Sequence, residues 1–147
     1  MKNETMIYTD AGYLGLGKKP IYVAFVVDRG KDGINHFMDE VPEIAISSTQ
    51  AEYCALAFAL LHLTEVTYGR VCISNDNQTM VRQIQGLQKV HDNKSNLKAL
   101  KLGVDKLWVE AIRNHNIIRM KWIPRKLNLA DRYTHKGKDK PHKETKK

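Results

Sequence analysis

Residues 51–63, AEYCALAFALLHL, most narrow the folds open to this chain. As a helix this stretch is apolar almost all round: Ala51, Cys54, Ala55, Leu56, Ala57, Phe58, Ala59, Leu60 and Leu61 leave no polar stripe. Such a helix is expected to lie against a sheet, largely buried. Ser48 or Thr49 can cap it. Glu52 is the only acidic residue in its first three turns.

The flanking residues supply the sheet. Residues 21–27, IYVAFVV, are nearly all β-branched or aromatic, which predicts a strand buried on both faces. Residues 7–9 form a shorter apolar stretch leading into Asp10. Residues 28–33, DRGKDG, are turn chemistry, and 34–41 read as a returning antiparallel strand ended by Pro42. Residues 71–73 make an apolar strand that stops at Asn75 and Asp76. A brief helix fits 78–85, with Gly86 to stop it. Leu97, Leu100, Val104, Leu107 and Ala111 recur at helical spacing, so 96–114 is an amphipathic helix. Residues 117–123 form a last strand, and Asn128 can cap a short final helix from Leu129. The order β-β-β-α-β-α-α-β-α predicts an α/β fold: a mixed five-stranded sheet with helices on both faces.

The chain has 147 residues, the length of one domain with a core of its own. Half of its +8 charge sits in residues 136–147, KGKDKPHKETKK, which hold six Lys, one Asp and one Glu. That segment has nothing to pack except Pro141 and is expected to be a disordered tail on a folded domain of residues 1–135. Two cysteines, Cys54 and Cys72, are too few for a disulfide framework and read as small buried hydrophobes. No stretch approaches the ~20 apolar residues of a membrane span, and the N-terminus is too polar for a signal peptide. A cytoplasmic monomer with a polyanionic partner is the expectation.

Four carboxylates occupy chemically odd places. Asp10 closes the first strand, Glu52 opens the apolar helix, Asp76 follows a buried strand end, and Asp131 lies in the first turn of the last helix. Each alone has an ordinary explanation as a turn residue or a partner of the helix dipole. Strand ends and helix starts meet along one edge of an α/β sheet, however, and that edge is where sites form. Four carboxylates gathered there would repel unless cations intervened, and hard oxygen ligands suit Mg²⁺ or Mn²⁺.

The residues around them form a longer pattern: IYTDAG at 7–12, SSTQAEYCAL at 47–56, SNDNQTMVRQIQG at 74–86 and WIPRKLNLADR at 122–132. In this order they resemble the landmarks of the ribonuclease H family, type 1. The resemblance implies a ribonuclease H-like fold and an endonuclease that hydrolyses the RNA strand of RNA–DNA hybrids. Two divalent ions, Mg²⁺ or Mn²⁺, would be held by Asp10, Glu52, Asp76 and Asp131, and the products would carry 5′-phosphate and 3′-hydroxyl ends. It further implies that Ala11, Gly12, Ser48, Thr49 and Gln78 meet 2′-hydroxyls in the minor groove, and that Ser47 and Asn77 reach the phosphate backbone. The 2′-OH is both donor and acceptor and distinguishes RNA from DNA.

The chain departs from that family in several places. Ser48 stands where many members have Asn, and Asn77 where Ser is usual. The segment from Trp122 to Asp131 is one residue short and contains no His where many members carry a mobile one. His135 lies on the other side of Asp131. Residues 87–95 leave no room for the basic protrusion of some bacterial members, and the Lys-rich tail is expected to stand in for it.

Two other readings compete. Residues 12–18, GYLGLGK, fit a phosphate-binding loop, but Lys19 replaces the Ser or Thr that would hold Mg²⁺, and Pro20 and a strand follow where a helix is required. A non-catalytic nucleic-acid-binding module would explain the charge but not the four carboxylates. Deleting residues 136–147 should weaken binding to an RNA–DNA hybrid and flatten its salt dependence. An unchanged slope of log affinity against log salt would exclude the tail as a phosphate contact.

Overall fold

The computed structural model describes residues 4–12, 21–41, 47–91 and 97–134. The Lys-rich tail, His135, residues 13–20 of the phosphate-loop-like stretch and Pro42 lie outside them. Five strands form one sheet: β1 (Glu4–Gly12), β2 (Ile21–Asp28), β3 (Ile34–Val41), β4 (Arg70–Asn75) and β5 (Ile117–Trp122). Their order is β3-β2-β1-β4-β5. The first three pair antiparallel, while β1 with β4 and β4 with β5 pair parallel. The sheet is therefore mixed, and β1 at its centre separates the two regimes.

Three α-helices, α1 (Ser48–Leu63), α2 (Gln78–Ile84) and α3 (Leu97–Ile112), share one core with one face of this sheet. Helix α1 packs on β1 and β2 and also against α3. Being covered on two sides explains why it tolerates no polar stripe. Its residues Tyr53, Leu56 and Leu60 are fully buried with Ile7, Phe25 and Ile73 of the sheet. Each such side chain contributes about 1.5–3 kcal/mol by leaving water. Strand β2 is buried from Ile21 to Val27 apart from half-buried Tyr22, as its composition predicts. The edge strand β3 is largely exposed and carries Asp39 and Glu40, charges that discourage edge-to-edge pairing.

Two local details differ from the sequence reading. The cap of α1 is Ser47 rather than Ser48 or Thr49. Ser47 is extended and its Oγ accepts a hydrogen bond from the Gln50 N–H at 3.1 Å, which places Ser48 and Thr49 already inside the first turn. The short final helix from Leu129 is instead a 3₁₀ helix, Asp131–Tyr133, preceded by another, Arg125–Leu127. Asn128 divides them: its Oδ1 accepts from the Ala130 N–H at 3.0 Å, a local bond that competes with helical continuation. The turn Asp131–Tyr133 covers the second face of the sheet. Ala130 and Tyr133 pack there with Tyr8, Ala24 and Val26, and Tyr133 stacks on His36 of β3 at 4.3 Å.

His115, just before β5, is buried and holds the Ala111 carbonyl through Nδ1 at 3.0 Å. Its Nε2 has no hydrogen-bond partner among the described residues, and burial lowers its pKa. His62, bonded to the Tyr68 hydroxyl at 2.7 Å, is shifted the same way by burial. An unfolded His titrates near 6.5. The unfolded chain therefore takes up these protons first as pH falls. The contribution of His115 to stability is complete above about 6.5 and is lost as pH drops through its lower folded pKa. The fall in Tm between pH 7.5 and pH 5.5 should shrink in His115→Gln. An undiminished fall would assign it to other groups.

Candidate active site

The ladder between β1 and β4 runs from Glu4↔Arg70 to Tyr8↔Ser74 and stops. Beyond that point β1 continues beside β2 to Gly12, while β4 ends at Asn75. The parting of two parallel strands at their C-terminal ends opens the crevice where α/β sheets place their sites.

Three carboxylates meet in it. Asp10 comes from the end of β1, Glu52 from the first turns of α1, and Asp76 from the residue after β4. One oxygen of each lies within 4.8 Å of those of the other two. Asp10 and Glu52 are buried and Asp76 is half-buried. The sequence brings them together through separate local causes. Asp10 terminates an apolar strand, Ser47 starts α1 so that Glu52 overhangs the sheet edge, and Asn77 caps α2 immediately after Asp76. The Oδ1 of Asn77 accepts from the Met80 N–H at 2.9 Å.

Each carboxylate is oriented by a neutral donor. Thr134 Oγ1 donates to Asp10 Oδ2 at 2.6 Å, Asn75 Nδ2 to Glu52 Oε1 at 2.9 Å, and Asn128 Nδ2 to Asp76 Oδ2 at 3.1 Å. These three donors are neutral and orient the side chains without adding charge of their own. Asn75 and Asn128 both also donate to the Thr9 carbonyl, at 3.0 and 2.9 Å, just where the β1–β4 ladder has ended. Asn75 reaches Thr9 Oγ1 as well, and its Oδ1 accepts from the Asn77 N–H at 2.7 Å. The Trp122 indole N–H donates to the Asp76 carbonyl at 3.2 Å.

Asp131 is not one of the three grouped carboxylates. Its carboxylate pairs with Arg125 at 3.3 Å. Its backbone belongs to the turn that carries Asn128 and Thr134, so it sits beside the cluster rather than within it.

The residues expected to read a nucleic acid are divided. Ser48 and Gln78 are exposed at the two helix starts beside the carboxylates. Ser47 and Asn77 serve as caps, and Asn77 Nδ2 lies 3.4 Å from Thr49 Oγ1. The Ala11 side chain is buried among Ile21, Val23, Ala51 and Ala55, which leaves only its backbone for contact. Gly12 is buried, and a Cβ there would meet the Thr134 carbonyl at 2.5 Å.

Asn75, Asn128 and Thr134 carry the site's hydrogen bonds yet escape a sequence reading. The sequence offers Asn128 only as a helix cap and Asn75 only as a strand end. Asn75→Ala would leave Glu52 and the Thr9 carbonyl short of a buried donor, at a cost of about 2–3 kcal/mol. Urea unfolding should show that loss, whereas exposed Gln78→Ala should stay within ~0.5 kcal/mol of the parent.

The chain's relatives bear on this geometry. Residues 24–132 match the family model described as reverse transcriptase-like. A comparison with curated protein sequences returns no match. Solved structures align over nearly the whole chain. The N-terminal RNase H domain of a Mycobacterium tuberculosis protein is 21% identical with a TM-score of 0.73, covering 92% of this chain and 94% of that one. RNase H1 from the archaeon Halobacterium salinarum is 22% identical with a TM-score of 0.74, covering 91% and 96%. LC11 RNase H1 in complex with an RNA/DNA hybrid is 27% identical with a TM-score of 0.69, covering 87% and 91%. Among the described residues no helix is long and apolar enough to cross a membrane.

Proposed function

The chain belongs to the reverse transcriptase-like family and has a ribonuclease H-like fold, and from that premise we propose that it is an endonuclease cleaving the RNA strand of RNA–DNA hybrids. The observation that carries this reading is the convergence of Asp10, Glu52 and Asp76, from three separate elements, at the parting of β1 and β4. The hybrid bound by LC11 RNase H1 supports the substrate class.

The donor set is all carboxylate oxygen, with neither Cys nor His in the group, and it fits Mg²⁺ or Mn²⁺ better than zinc. Asp10, Glu52 and Asp76 would hold the ions, with Asp131 as the fourth carboxylate on the adjoining turn. Bound divalent ions supply activation of water and stabilisation of the departing 3′-oxygen, which leaves a 5′-phosphate. The chain's own residues position the strand. Ser48, Thr49 and Gln78 would offer side-chain hydrogen-bonding groups to 2′-hydroxyls, the Ala11 and Gly12 backbone would complete that row, and Ser47 and Asn77 sit at the helix starts where phosphates are favoured. All three grouped carboxylates come from one chain, so a monomer suffices. The excess of Lys and Arg draws in the polyanion.

Matched RNA–DNA, RNA–RNA and single-stranded RNA substrates, each with Mg²⁺ and with Mn²⁺, test the proposal. Hybrid cleavage is expected to fall at least 100-fold in Asp10→Asn and in Asp76→Asn, and to vanish with EDTA. Tight hybrid retention without cleavage in either ion would instead make the chain a binding module.

A further inference from the structure

We propose that Thr134 is a positioning residue that sets the cation affinity of the carboxylate cluster by holding Asp10. The inference rests on the metal-binding reading given above. Its starting point is the bond from Thr134 Oγ1 to Asp10 Oδ2, 2.6 Å long and fully buried at the Thr134 end. Thr134 is 124 residues away from Asp10 in sequence, so the contact exists only because the turn Asp131–Tyr133 closes over the second face of the sheet.

Several features hold that turn in place. Gly12 lets the Thr134 carbonyl approach β1, since a Cβ there would lie 2.5 Å from it. Ala130 fits between Ala24 and Val26, where a larger residue would lift the turn. Tyr133 stacks on His36 of β3 at 4.3 Å, with ring planes 9° apart. Arg125 holds Asp131 from outside at 3.3 Å. The result is a clamp behind Asp10, on the face opposite α1.

An Asp side chain has two rotatable bonds, and a buried hydroxyl donor on one oxygen fixes the plane of the carboxylate. The ordering cost is then met in folding rather than on cation binding. Groups that orient metal-binding side chains in this way typically contribute 10–100-fold in affinity.

The test is Mn²⁺ binding by isothermal titration calorimetry on the full chain, with Thr134→Val, which keeps the shape and removes the hydroxyl, and Thr134→Ser, which restores it. Thr134→Val should bind Mn²⁺ at least 10-fold more weakly, and Thr134→Ser should return to within about 3-fold of the parent. In hybrid cleavage, Thr134→Val should need correspondingly more Mn²⁺ for half-maximal rate, with the rate at saturating Mn²⁺ largely recovered. Near-UV circular dichroism confirms that each variant is folded. If Thr134→Val does not fold, Tyr133→Ala, which loosens the clamp from outside, replaces it with the same expected weakening. Parent-like Mn²⁺ affinity in the folded variant overturns this proposal alone. A parent chain that binds no Mn²⁺ overturns the metal reading and this proposal together.

Discussion

The parting of β1 from β4 after Tyr8 and Ser74 is the constraint on which the rest of the site depends. Two parallel strands that stop pairing leave backbone groups unmet, and a buried unmet carbonyl is costly. Here the Thr9 carbonyl takes two side-chain amides, from Asn75 and Asn128. Those same amides reach on to Glu52 and Asp76. Repair of the sheet's broken ladder and orientation of the carboxylates are thus one set of bonds. Loosening either asparagine disturbs both.

Around that point the fold divides its labour between the two faces of the sheet. The α-helical face carries the core, with α1 between β1, β2 and α3, and it delivers Glu52 over the sheet edge. The other face carries no long helix among the described residues, but it receives a turn through small residues at Gly12, Ala24 and Ala130. Bulk on one side and close backbone approach on the other bring donors to the cluster from both directions. Asp10 faces the second side and is reached by Thr134, whereas Asn75 meets Glu52 from the first.

Electrostatics gives this arrangement its direction. Three carboxylates offer one oxygen each within 4.8 Å of one another, which gathers acidic ligands at this edge of the sheet. Under the proposed function a divalent cation would be held there, by carboxylates that hydrogen bonds already orient. Under the proposed function the excess basic charge elsewhere on the chain would attract the phosphate backbone at longer range.

The sequence by itself determined the element order, the buried helix and the candidate carboxylates, because these depend on local pattern. Residues 21–27 and 51–63 are apolar enough to permit few placements, and their observed elements agree to within a few residues. Motif resemblance points to Asp10, Glu52, Asp76 and Asp131 alike. Tertiary structure decided which of these meet and what holds them. Asp131 stands outside the group of three and pairs with Arg125, six residues away in the same turn region. Ser47 rather than Ser48 caps α1, because its backbone is extended and its Oγ accepts from the Gln50 N–H. Asn75, Asn128 and Thr134 carry no periodic signal. Their roles arise from contacts 23, 52 and 124 residues distant, which form only when the sheet has been assembled.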